Sequence, residues 1–353
     1  MTTATLLHPL SAVRDEFSVE PGYLASCTVG PPTASSRRAV IADITSAAAG
    51  RIDIGCYCEV VERARSLFAE LVGVNASRVA IGSQASVSAG LLAASLPDGA
   101  EVLCVEGDFS SIVLPFVHAG RGIRVRTTTL EHLAGAVRED TDLVSFSLVQ
   151  SATGEVADAS AIAAAAARCG ARTFCDMTQA VGWMPVAADL FDATVCHAYK
   201  WLCAPRGVAF LTVAADWDLR PVHAGWYAGA DPWASCYGGA AALADDARRY
   251  DVSPAWQAFV GAEPALALFA ALDAAAVFDH TTGLAAAFRR RLGMPEPLRA
   301  GAIVTWNDPD GTDLAMLGAA GVTASGRAGR ARVAFHVFND HADVELAATA
   351  LGR

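Results

Sequence analysis

Thr173-Phe174-Cys175-Asp176-Met177-Thr178-Gln179-Ala180-Val181-Gly182 is followed by Cys196-His197-Ala198-Tyr199-Lys200-Trp201-Leu202 and then by Ala204-Pro205-Arg206-Gly207. The first two segments each run from a short β-rich stretch, Arg172–Cys175 and Ala193–Cys196, into ionisable side chains. Outward from them, Arg78–Ile81, Glu101–Val105, Ile123–Thr127, Asp142–Leu148 and Val208–Val213 read as further strands separated by helical stretches. That βαβα order predicts an α/β fold with a mainly parallel sheet between helices, whose ligands gather beyond the carboxyl ends of the strands. Residues just past each strand are therefore the candidates for chemistry.

Between Ala214 and Pro264 the alternation gives way to a stretch rich in Trp, Gly and Pro, including Gly225, Trp226, Gly229, Trp233 and Pro254. Long irregular segments of this kind are often functional. A helix is predicted near Ala265–Phe278, then the run Gly301–Trp306, the turn Asp308-Pro309-Asp310-Gly311, the run Arg330–His336 and a last helix near Asp340–Leu351. This gives a division into an N-terminal segment over 1–34, a large domain over 35–250 and a smaller C-terminal α+β domain over 251–353.

The 353 residues are 53% hydrophobic and only 18% charged, which describes a well-buried globular chain. A net charge of -11, with no Lys/Arg run longer than Arg289–Arg291, argues against a nucleic-acid surface or an anionic membrane patch and favours a small-molecule partner. The nine cysteines, scattered and mostly in apolar surroundings, suit reduced thiols in a cytoplasmic protein. Cys56 and Cys58 lack the partners of a zinc site, so no metal is expected. The apolar patch Leu6 to Leu10 has Asp15 and Glu16 close behind it, no basic n-region before it and no long apolar core, unlike a signal peptide. Ala159 to Cys169, the most apolar helical stretch, is far shorter than the ~20 residues of a membrane span.

The pattern D-x-x-Q-A-x-G, then Y-K-W-L and P-R-G, resembles the class V aminotransferase superfamily of fold-type I pyridoxal 5′-phosphate (PLP) enzymes, which includes the cysteine desulfurases. The resemblance extends from about Tyr23 to Leu351. It implies that Lys200 holds PLP as a Schiff base, the role of a lysine past a strand end facing an aldehyde. It implies that Asp176 keeps the pyridine nitrogen protonated, since a carboxylate favours the cationic form. Gln179 would donate a hydrogen bond to the phenolic oxygen.

The segment Gly82-Ser83-Gln84-Ala85-Ser86 lies between a strand and a helical pattern, where free N–H groups and the helix dipole suit a phosphate. Ala85 and Ser86 align with the family's phosphate-loop pair, and His197 and Tyr199 match positions that also reach phosphate. Phe109 stands where many relatives stack a histidine on the ring; an aromatic can pack there but cannot shuttle protons. Ser151 falls near the position facing the ring. Trp226 resembles a segment that crosses to a partner's phosphate in a homodimer, or is a core aromatic with no ligand contact.

Near the end, Gly329-Arg330-Ala331-Arg332-Val333-Ala334-Phe335-His336-Val337-Phe338-Asn339 resembles the family segment whose arginine binds the substrate α-carboxylate. Arg332 is the matching position, and a guanidinium suits a carboxylate through paired N–H bonds; Arg330 or Arg327 could serve instead. Desulfurases carry a nucleophilic cysteine before this arginine, but the window Asp313 to Gly329 holds no cysteine. The resulting expectation is a lyase that expels a β-substituent such as a thiol from an α-amino acid. Transamination and epimerisation share its quinonoid intermediate and stay open, as does an α/β binding protein without PLP, in which Lys200 and Asp176 would be an ion pair.

Overall fold

The computed structural model describes residues 10–353, so most of the apolar patch at Leu6 to Leu10 lies outside the described residues. Among the described residues ten strands are formed: β1 (Val79–Gly82), β2 (Glu101–Val105), β3 (Arg124–Thr128), β4 (Leu143–Ser147), β5 (Arg172–Asp176), β6 (Ala193–His197), β7 (Ala209–Val213), β8 (Ile303–Asn307), β9 (Ser325–Arg327) and β10 (Arg330–Ala334). All seven strands expected in the first part of the chain are present, most with an end moved by a residue or two.

These seven make one sheet in the order β1-β7-β6-β5-β4-β2-β3. From β3 through β2, β4, β5 and β6 the neighbours are parallel, while β7 runs antiparallel to both β6 and β1. Six strands therefore point the same way, and the loops that follow them share one edge of the sheet.

Every residue of β2, β4, β6 and β7 is buried, because helices cover both faces. Alternation along a strand sends Leu103, Val105, Val144 and Phe146 into one core with the helices Ile54–Val72 and Ala159–Cys169. Val102, Cys104, Leu143 and Val195 face the other core, against the helix Ala85–Ser95. The edge strand β3 is only half-buried.

A second antiparallel sheet, β8-β10-β9, packs with the helices Ala274–Arg291 and His341–Ala350 around Leu24, Val304, Val333 and Phe335. The single helix expected over Ala265–Phe278 is two, Trp256–Ala270 and Ala274–Arg291. Pro264 lies inside the first, and the break is set by Asp273, whose carboxylate accepts the N–H groups of Ala275 and Ala276 and so starts the second. Helix Trp256–Ala270 packs on the helices Ala34–Ala48 and Ile54–Val72 of the large sheet's layer.

Two long-range features fix the site's borders. Residues Tyr23 to Ala25 run beside the small sheet, with Leu24 N–H donating to Thr323 and Leu24 C=O accepting from Ala334. The chain then crosses to the large domain at Gly30, whose N–H donates to Tyr199 C=O; a Cβ there would stand 1.9 Å from the Lys200 carbonyl oxygen. Second, the buried Arg65 reaches Asp251 at 2.7 Å, and Asp251 also accepts the Ile81 N–H at 2.7 Å. That pair ties the irregular stretch to the end of β1.

Candidate active site

Lys200 lies three residues past β6, buried to 6% exposure, and its ammonium has no hydrogen bond or ion pair among the described residues. Burial lowers its pKa to about 8, with Asp176 pulling the other way. Its Nζ stands 5.5 Å from the Phe109 ring centre and 5.8 Å from that of Tyr199. An amine held between aromatic faces and short of partners is nucleophilic at moderate pH.

Asp176 ends β5, one strand away, and is 4% exposed. Its Oδ1 accepts the Thr178 N–H at 2.8 Å, and burial raises its pKa, with Thr178 and Lys200 opposing the rise and Asp108 adding to it. No ion pair within 4.0 Å joins it to Lys200. The two groups feel each other's charge across a gap instead of closing it.

His197 closes β6 with its Nε2 buried and without a partner. Burial lowers its pKa to about 4, so the ring is neutral at physiological pH. It meets Tyr199 edge-on at 4.3 Å, and the Arg206 guanidinium lies 5.0 Å over the other aromatic ring. Helix Ala85–Ser95 packs against β6, and the residue before it, Gln84, makes no side-chain capping bond, which leaves the N–H groups at Ala85 and Ser86 uncapped by a side chain.

On the other side of Lys200, Gln179 donates from Nε2 to Cys27 C=O at 2.9 Å and to Ser151 Oγ at 3.1 Å, and accepts from Trp201 Nε1 at 2.7 Å. Both amide hydrogens are thus engaged by the protein. Arg332 is 1% exposed: its Nε donates to Ser325 Oγ, its Nη1 to Ser151 C=O and Oγ, and its Nη2 to Thr28 Oγ1. No carboxylate balances it among the described residues, and burial lowers its pKa. Arg330 turns to Thr305 and Asn307, and Arg327 is exposed. Trp226 touches Tyr227, Trp233 and Ser253, none of them a candidate site residue.

Three contributors escaped the sequence reading. Thr178 accepts the His197 N–H at 3.0 Å and so locks the ends of β5 and β6 together. Asp108 takes Ser147 N–H and Oγ and Gln150 Nε2, fixing the loop before Phe109. Thr28 reaches Arg332 across 304 residues of chain. Thr178 and Asp108 stood inside or beside quoted motifs; Thr28 carried no local signal.

The donor set fits PLP: a partner-free amine for the aldehyde, a buried carboxylate for the ring nitrogen, and for the phosphate an orphaned imidazole nitrogen at the end of β6, the strand on which helix Ala85–Ser95 packs. The family model for aminotransferase class-V matches residues 56–303. The chain is 31% identical over 185 residues to isopenicillin N epimerase of Amycolatopsis lactamdurans, covering 46% of each protein. It is 30% identical over 228 residues to kynureninase of Deinococcus radiodurans, covering 61% of this chain and 52% of that one. The matches thus span about half the length of these relatives.

Among solved structures, the cysteine desulfurase of Thermococcus onnurineus NA1 superposes with a TM-score of 0.84 at 16% identity over 97% of this chain and 96% of that one. A cystine C-S lyase in complex with cysteine persulfide gives 0.82 at 18% identity, over 94% of this chain and 97% of that one. Those likenesses establish the fold-type I architecture, and the family match, the motif spacing and the geometry agree. The chain belongs to the aminotransferase class-V family of pyridoxal 5′-phosphate enzymes.

Proposed function

We propose that this enzyme acts on an α-amino acid as a lyase, removing the α-proton and releasing a β-substituent such as a thiol. The observation that carries the reading is Arg332, a buried guanidinium without a carboxylate partner among the described residues, whose charge is felt at the partner-free Lys200. A buried cation is costly until an anion meets it. The substrate α-carboxylate is such an anion.

In this reading Lys200 holds PLP through its ε-amino group, Asp176 faces the ring nitrogen, Phe109 lies against the ring, and His197, Tyr199, Ala85 and Ser86 serve the phosphate. Ser151 lies where Gln179 and Arg332 meet. When bound, PLP supplies the electron sink for charge developing at the substrate Cα. Lys200 Nζ, freed when the substrate's own amine takes its place on the cofactor, would take the Cα proton, and its lowered pKa as a free amine suits a base near neutrality. Elimination asks for one base and a leaving group; Phe109 offers no proton, and no cysteine stands between Asp313 and Gly329 to accept sulfur.

Epimerisation is a second reading, supported by the 31% identity to isopenicillin N epimerase. The reading also includes a homodimer, with Trp226 turned to the partner's site, and sedimentation equilibrium tests it.

The experiment compares the visible spectrum of the PLP-loaded protein with that of Lys200→Ala, then adds S-substituted L-cysteines and assays pyruvate, ammonia and thiol. The expected result is a lysine-dependent visible band and release of all three. Inversion at Cα with solvent deuterium uptake and no pyruvate favours the epimerase. Absence of a lysine-dependent band overturns the assignment of Lys200.

A further inference from the structure

The carboxylate anchor has an unusual feature in its hydrogen-bond count. A guanidinium owns five N–H donors. Arg332 spends Nε on Ser325 Oγ at 3.1 Å, both Nη1 hydrogens on the carbonyl and hydroxyl of Ser151, and one Nη2 hydrogen on Thr28 Oγ1 at 2.9 Å. One Nη2 hydrogen is left without an oxygen partner, too few for the two parallel bonds of an arginine–carboxylate fork, and the Cys27 thiol lies close to the guanidinium.

The hydroxyls that crowd the guanidinium have spare donors of their own. Ser151 Oγ accepts from Arg332 Nη1 at 3.0 Å and from Gln179 Nε2 at 3.1 Å, and its hydrogen has no acceptor among the described residues. Thr28 Oγ1 accepts from Arg332 Nη2, and its hydrogen likewise has none. Both residues are half-buried, and Arg332 is 1% exposed. An oxygen that accepts from a cation is left with a more polarised O–H, and such chains of bonds strengthen one another. The converging donors therefore call for an anion.

We propose that the substrate carboxylate is bound by Thr28 Oγ1–H, Ser151 Oγ–H and the remaining Arg332 Nη2–H, so that Arg332 acts largely through the two hydroxyls. This rests on the reading of Arg332 as the carboxylate anchor. Thr28 is then a substrate-positioning residue delivered by the N-terminal segment, which the bonds of Leu24 and Gly30 hold in place. It selects amines that carry a carboxylate beside the reacting carbon over those that lack one.

The test titrates the PLP-loaded protein with L-alanine and with ethylamine, which lacks the carboxylate, and follows the visible spectrum. Thr28→Val is expected to weaken L-alanine binding about tenfold, as for one lost hydrogen bond to a charged group, and to leave ethylamine binding and the PLP band unchanged. Thr28→Ser, which keeps the hydroxyl, is expected to restore L-alanine binding. A second arm needs no PLP: acetate raises the melting temperature of the wild type by binding the folded state and fails to raise that of Thr28→Val. Equal L-alanine affinities for wild type and Thr28→Val, an equal loss for ethylamine, or an equal acetate shift overturns the inference. A wild type without a lysine-dependent band sinks the cofactor assignment instead, and the acetate arm still decides this one.

Discussion

Lys200 and Asp176 are both buried at the ends of adjacent strands, each senses the other's charge, and yet they form no ion pair. Opposite charges this well shielded from water would gain from closing together. The chain keeps them apart: Asp176 is tied to the Thr178 N–H, and the backbone around Lys200 is pinned by Gly30. Separation of an amine and a carboxylate is what a flat ring between them requires, and it counts against a structural ion pair.

The reactivity of Lys200 follows its pKa. Because burial lowers that value from 10.5 to about 8, half of the amine is neutral near pH 8. Borohydride trapping of PLP on the protein is expected to rise with pH around a midpoint of about 8. Between about pH 8 and 10.5 the folded PLP-free protein binds fewer protons than the unfolded chain, so its stability increases across that window. Urea midpoints measured at pH 8 and pH 10 check the second statement.

Asp176→Asn removes the charge while keeping the shape. The visible PLP band should persist, because Lys200 is untouched, while turnover falls about 10- to 100-fold with the loss of a charge-assisted hydrogen bond to the ring. Spectrum and turnover measured on one preparation separate the two effects.

His197 offers its unpartnered Nε2 as a neutral donor, since its pKa near 4 keeps it uncharged. His197→Ala is expected to weaken PLP binding about 10- to 100-fold and to leave the affinity for pyridoxal, which has no phosphate, nearly unchanged. Equilibrium dialysis of both compounds reads the difference.

Phe109 is 43% exposed, a large apolar ring with its centre 5.5 Å from Lys200 Nζ. Phe109→Ala should weaken PLP binding about 2- to 10-fold, the range for an aromatic stacking contact, and Phe109→Tyr should retain it. The same dialysis measures this.

Arg65 and Asp251 hold the irregular stretch to β1, and Asp251 has its pKa raised to about 6 by burial that outweighs the arginine's pull. Arg65→Met leaves the carboxylate buried and uncompensated, at a cost of about 3–5 kcal/mol. Urea denaturation at pH 7 is expected to show that loss, and it should shrink toward pH 5 as Asp251 is protonated.

The strands, their order of alternation and the residues just past them were legible in the sequence, because strand burial and βα alternation are local, periodic properties of the chain. Asp176 and Lys200 follow runs of buried strand residues, but what singled them out was the spacing of D-x-x-Q-A-x-G, Y-K-W-L and P-R-G, which resembles the class V pattern. The break at Asp273 was not legible, since alanine-rich flanks carry no punctuation and a side-chain cap decided it. Nor could local pattern choose among Arg327, Arg330 and Arg332; register in the small sheet buries Arg332 and turns Arg330 toward Thr305 and Asn307.

The sequence by itself determined the sheet and singled out Lys200, Asp176 and the loop before Ala85 as candidates, since their signals lie within single elements. The tertiary structure alone decided the hydrogen-bonded cluster proposed as the carboxylate site, which draws Thr28 from the N-terminal segment, Ser151 from the loop after β4 and Arg332 from β10. Their meeting depends on chain crossings hundreds of residues apart, and no local periodicity encodes a contact of that range.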